Sequence, residues 1–201
     1  MTIIAQKIPF EIHLTTEGLP AVREEEFIRH CESVGAKALL IELSRGSHVQ
    51  QPMLSTVVHS NSLLSVLSEA NELSSDLARK GFGSKRLKIE IPAYHAHLFA
   101  KNESTFDRYF EWHGKIRYTN TDMLQTLCLK HKVHLSINSL KSATGFRFIT
   151  LREYGTQQVF EERIHQLLED FEKQKLTIDK QQAEFCIYDN NSFLDEGWLP
   201  Q

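Results

Sequence analysis

Phe10-Glu11-Ile12-His13-Leu14-Thr15 alternates apolar and polar side chains without a break. A period of two marks a strand with one face in a core and the other turned away from it. The opening recurs as Phe110-Glu111-Trp112-His113, at the head of the second half of the chain. Both occurrences are followed by the same series of patterns, so this short stretch decides how the rest is read.

After the first occurrence, 22–34 carries Phe27, Cys31 and Val34 at helical spacing and stops at Gly35. Residues 37–43 and 53–59 have strand character. Ser60 or Asn61 caps a long helix bearing Leu63, Leu64, Leu67, Ala70, Leu73 and Leu77, which Gly81 ends. Residues 86–91 alternate again. After the second occurrence, a strand over 110–118 leads to Asn120 or Thr121 as a cap, then to a helix with Met123, Leu124, Leu127 and Cys128. Strands over 133–138 and 146–153 follow. Gly155-Thr156 leads into a helix bearing Phe160, Ile164, Leu167 and Phe171, and 183–188 is the last strand. Cys31 and Cys128 each lie five residues before the second strand region of their half, which supports a common register.

Each half therefore reads β-α-β-β-α-β and resembles the ferredoxin-like unit. That resemblance implies an α+β protein of tandem ferredoxin-like repeats, with antiparallel sheets each carrying helices on one face. The expected divisions are a first repeat over 1–92, a linker over 93–108, a second repeat over 109–189, and a tail over 190–201. The tail's Phe193, Leu194, Trp198 and Leu199 are too apolar to be wholly solvated, and are expected to pack back on the body.

The 201 residues carry 23 basic and 26 acidic side chains, with neither half basic. A non-specific binder of nucleic-acid backbone is disfavoured on that balance. Three cysteines without a CxxC argue against a disulfide framework or a thiolate zinc site and fit a reducing compartment. Residues 1–10 do not read as a secretory signal, and no apolar run reaches membrane-spanning length. A cytoplasmic protein without a cofactor is expected.

The polar strand positions mark the open sheet faces. Glu11, His13, Lys88, Glu90, Glu111, His113, Lys115 and Arg117 are the candidate ligand-binding residues, joined on the same faces by Thr15, Arg86, Glu184 and Cys186. Facing one another at a pseudo-twofold axis, these strands would line a cleft for a small-molecule or anionic ligand. Left open, they are a solvated surface, or a face or edge for a second copy of the chain. Glu11 and His13, and Glu111 and His113, stand about 7 Å apart along their strands, a spacing suited to acid–base work through a bound group.

Two narrower resemblances come from short motifs. His13-Leu14-Thr15 and His134-Leu135-Ser136 are similar to the paired His-x-Thr/Ser motifs of 2H phosphoesterases, which implies hydrolysis of a cyclic or diester phosphate; they lie on the first strand of one half and the second of the other. Residues 144–151 resemble the RNP1 motif of RRM domains at Gly145, Phe146, Phe148 and Ile149, which implies single-stranded RNA binding. Thr144, Arg147 and Leu151 depart from it, and an exposed Arg147 would turn Phe146 and Phe148 into the core. His95-Ala96-His97 places two imidazoles on one side of an extended linker but has no third metal ligand nearby in sequence. No phosphate loop, nucleophile elbow or metalloprotease helix is present.

Overall fold

The computed structural model describes residues 3–99, 108–117, 121–140 and 145–197. The strands are β1 (Ile3–Thr16), β2 (Lys37–Leu43), β3 (Gln50–Ser62), β4 (Ser84–Pro92), β5 (Tyr109–Arg117), β6 (His134–Asn138), β7 (Phe146–Glu153) and β8 (Ile178–Asp189). Between them lie α1 (Ala21–Ser33), α2 (Leu63–Arg79), α3 (Thr121–His131) and α4 (Gln157–Lys173). The order β-α-β-β-α-β thus runs through twice, in an α+β protein with antiparallel pairing throughout.

Two separate sheets were the expectation. The structure instead joins all the strands into one closed barrel in the order β1-β3-β2-β6-β7-β5-β8-β4. The seams are β2 with β6, through Ile41–Leu43 against Asn138–Ser136, and β4 with β8. Alternation along a strand tells which face is polar. It carries no record of which edges meet, and pairing the edges satisfies backbone groups that would otherwise invite other chains.

Apolar strand positions face outward against the helices. Phe10, Ile12 and Leu14 are fully buried, in one cluster with Phe27 and Cys31 of α1 and Val66, Ala70 and Leu77 of α2. In the second half, Phe110 stacks on Phe160 of α4 at 5.1 Å and touches Phe185 at 4.6 Å. Cys31 on α1 and Cys128 on α3 are both buried and unpaired, and burial pushes each thiol up to about 12. At that value they are small apolar packing groups rather than nucleophiles.

Several expected boundaries move. Strand β3 runs straight into α2, and Ser62 precedes the helix with no side-chain cap, so neither Ser60 nor Asn61 serves. Ser60 and Ser62 pair with Ile8 and Ile3 of an extended β1, backbone bonding that no side-chain pattern announces. Thr156 caps α4 by accepting a bond from the Val159 amide. Asn120 lies outside the described residues. The segment after β4 is a 3₁₀ turn over Ala93–Leu98, not an extended linker, and it buries Ala93 and Ala96. His97 Nδ1 is bound at Tyr94 O and His95 packs on the Tyr94 ring, so the two imidazoles are occupied locally. No described helix is long and apolar enough to cross a membrane.

Gly114, mid-strand in β5, lets the Trp112 indole lie along the sheet. A Cβ at that position would come within 2.3 Å of the ring. Trp112 is buried and its Nε1 donates to Gln181 Oε1 at 3.0 Å, so the ring cannot move away without losing both. Gly114→Ala should destabilise the fold by about 1–3 kcal/mol as an overpacked site. A shift in the urea midpoint at unchanged slope is the expected readout.

Candidate functional site

The side chains opposite to the apolar cores point into the barrel, and in its central part they are almost all polar. Registers place them in rings: Glu11 beside Glu90, His13 beside Lys88, Thr15 beside Arg86, Glu111 between Glu184 and Arg152, and His113 between Gln182 and Thr150. Buried on this side are Arg86, Lys88 and Arg152 against Glu90, Glu111, Glu184, Asp189 and Asp195. Glu11 adds another carboxylate, a quarter exposed. Isolated charges cannot be held at such depth, so their pairing determines whether the fold exists.

Glu111 is the hub. Lys88 Nζ donates to its Oε2 at 2.8 Å and Arg152 Nε to its Oε1 at 2.8 Å. Arg152 also reaches Asp195 at 2.6 Å, and Arg86 reaches the same carboxylate at 3.0 Å. Asp195 belongs to a short 3₁₀ turn (Ser192–Asp195) after β8, which closes this end of the barrel. There Arg86 makes a two-point contact with Asp189, at 2.9 and 2.6 Å, and the Tyr109 hydroxyl donates to Asp189 at 2.7 Å. The Arg152 guanidinium lies over the Tyr109 ring. Gln51 completes the closure by donating to Leu194 O and Asp195 Oδ1.

Toward the other end the network thins. His13 Nε2 is 3.0 Å from Glu90 Oε2, and Lys88 Nζ is 3.0 Å from the same oxygen. Glu90 Oε1 and His13 Nδ1 are buried with no hydrogen-bond partner among the described residues. His113 Nε2 sits 3.4 Å from Glu111 and 3.6 Å from Glu184, while its Nδ1 is 3.1 Å from Thr150 Oγ1. Ser55 donates to Glu11, and Gln182 donates to Glu184 Oε1 at 2.7 Å.

These surroundings divide the carboxylates. Burial alone would raise Glu111, but Lys88 and Arg152 overcome it and hold the group well below the usual range. Glu90 is also lowered, burial being outweighed by Lys88 and the His13 hydrogen bond. Glu184 has no such cation. Burial, then repulsion from Glu90, pushes it up to about 8 against the opposing pull of His113. Burial works against a charged His113, yet its bond to Glu111 and the charges of Glu111 and Glu184 raise it.

Of the sequence-derived candidates, Glu11, His13, Lys88, Glu90, Glu111 and His113 meet inside the barrel. Lys115 and Arg117 do not join them. They lie farther along β5, where Lys115 pairs with Asp179 at 2.9 Å and both cations rest on the Phe146 ring. Phe146 and Phe148 share the inward face with Thr150 and Arg152 rather than entering the helix-side core, which Ile149 and Leu151 fill instead. The expectation that an exposed Arg147 turns Phe146 and Phe148 into the core is thereby reversed, and the same reversal brings Arg152 inward. The signal for the correct face was the Ile149–Leu151 alternation. Asp195 and Tyr109 were missed because their partners lie far off in sequence. His13 and His134 both point inward, but His13 is held at Glu90, whereas His134 Nδ1 lies 2.9 Å from Arg45; burial, then Arg45 and Arg152, lower His134 to about 4.

Lys88→Met leaves Glu90 and Glu111 facing each other with one fewer cation, and should cost about 3–5 kcal/mol in denaturant titration. Lys115→Met, at a part-exposed pair, should cost about 1 kcal/mol or less. Glu184 gives a pH signature. Its folded carboxyl binds a proton more tightly than the unfolded one, so its contribution is complete below about 4.5 and is lost as pH rises through about 8. Glu184→Gln should therefore flatten the fall of Tm between about pH 5 and 8, and an unchanged slope would place the titration elsewhere.

No family model matches the chain, and no curated protein does either. Among solved structures, a provisionally assigned glycine cleavage system transcriptional repressor aligns over 89% of this chain and 97% of its own, at 9% identity and a TM-score of 0.26. Superposition that loose leaves the barrel's own side chains as the basis for any functional reading.

Proposed function

We propose that the chain is a ligand-binding module built from a duplicated ferredoxin-like unit, and that its site is the carboxylate-rich half of the barrel interior around Glu11, His13, Glu90, His113 and Glu184. The ligand is a small cation or a small molecule presenting a cationic group. The supporting observation is an uneven charge balance at depth. Arg86, Lys88 and Arg152 are each engaged by carboxylates, while Glu90 Oε1 is buried with no hydrogen-bond partner among the described residues. Buried acceptors of this kind normally have a partner, and a bound donor or cation supplies one.

This balance also favours a cationic ligand over the anionic one that the polar strand faces left open in the sequence. Lys88 is held between Glu90 and Glu111, and Lys115 is held by Asp179. An anion entering beside Glu11, Glu90 and Glu184 would meet net repulsion.

The test is thermal denaturation at about pH 8 with zinc chloride, manganese chloride, putrescine or sodium phosphate. At least one cationic probe should raise Tm saturably, by an amount equivalent to about 2.7 kcal/mol at a hundredfold excess over Kd. Glu90→Gln/Glu184→Gln should lose the effect. Stabilisation by phosphate alone, or by none of the probes, rejects the reading.

A further inference from the structure

We infer that Glu90, His113 and Glu184 form a binding site for a first-row divalent metal ion such as Zn²⁺. The inference rests on the cation-binding reading above and names the cation. The three residues come from β4, β5 and β8, and one ligand atom from each lies within 4.8 Å of the others. His113 Nε2 and Glu184 Oε2 are 3.6 Å apart. Bonds of roughly 2.0–2.1 Å in a tetrahedral site place neighbouring ligand atoms about 3.3 Å apart, so this pair is already near that spacing and the Glu90 carboxylate closes on the ion from within 4.8 Å.

Observations beyond the cluster itself point to a ligand. Glu90 is almost completely buried, and its Oε1 has no hydrogen-bond partner among the described residues, while Oε2 faces His13 and Lys88. One oxygen is thus held by protein cations and the other is left over. The other two ligands are already oriented from behind. Thr150 Oγ1 takes the Nδ1 side of His113, which turns the Nε2 lone pair toward the carboxylates. Gln182 holds Glu184 Oε1 and leaves Oε2 toward His113. Supporting bonds to the far side of each ligand are how metal sites fix tautomer and aim.

The ligand chemistry narrows the ion. One imidazole and two carboxylates, with no thiolate, suit Zn²⁺ or Mn²⁺ rather than Cu⁺. The His113 side chain is about one-third exposed, which provides a route in. Three protein ligands leave one coordination position for water. Lys88 lies close by, but Glu111 and the other oxygen of Glu90 already face its charge.

Cobalt(II) serves as the optical probe, followed by competition with zinc. The purified full chain should bind one equivalent of Co²⁺ with visible absorption of a low-coordinate site, and zinc should abolish the band. His113→Ala and Glu184→Gln should remove it with the far-UV circular dichroism unchanged. His134→Ala should leave it intact. Should either ligand variant fail to fold, Thr150→Val and Gln182→Ala keep the ligands and should weaken Co²⁺ binding by roughly 10–100-fold. No band in the wild type, or a band indifferent to these substitutions, overturns the metal site. If putrescine still raises Tm in that case, the cation-binding reading survives; if nothing does, both fail.

Discussion

The two-sided grip on Glu111, by Lys88 from β4 and Arg152 from β7, is the interaction on which the rest of the barrel depends. Closing eight strands with the helices outside forces every inward side chain into a confined space. With apolar residues already committed to the helix side, that space must hold charge. A buried carboxylate without a cation would be protonated or would open the barrel. Glu111 is satisfied on both oxygens and so lets two cations, themselves nearly inaccessible, stay in place. From there the pairing runs through Arg152 to Asp195, through Arg86 to Asp189, and to the closed end.

The same closure makes the two ends of the barrel unlike. One is sealed by Asp195, Gln51 and the Arg86–Asp189–Tyr109 cluster, where donors and acceptors match. The other gathers Glu11, Glu90 and Glu184 about two imidazoles and a single lysine, and its groups compete for too few protons and cations. Structure-wide stability favours the first arrangement, whereas the second stores repulsion that a ligand can relieve. The functional proposals follow from that asymmetry.

Much of this was legible in the chain. The Phe10–Thr15 alternation specified which side chains of β1 turn inward, and the matching stretch at Phe110 did so for β5, because a period of two survives any tertiary arrangement. Six of the candidate residues accordingly meet. What could not be read was closure, since edge pairing between β2 and β6 or β4 and β8 is made by backbone groups that every residue possesses. On β7 a solvated Arg147 implies core phenylalanines, yet Ile149 and Leu151 fill the helix-side core and Phe146 and Phe148 turn inward. Asp195 stands in a short turn with no periodicity, so only the distant guanidiniums it meets reveal its role.

The charge pairs also cross the chain's midpoint. Lys88 answers Glu111, Arg86 answers Asp189 and Asp195, and Gln182 reaches back to Glu11. The second half sets Arg152 against four inward carboxylates and draws on Arg86 and Lys88 of the first, even though each half runs through the same order of elements. A substitution that alters an inward charge in one half must therefore be answered in the other. The halves are free to drift apart on their helical exteriors, but their inward residues are bound to evolve as one set.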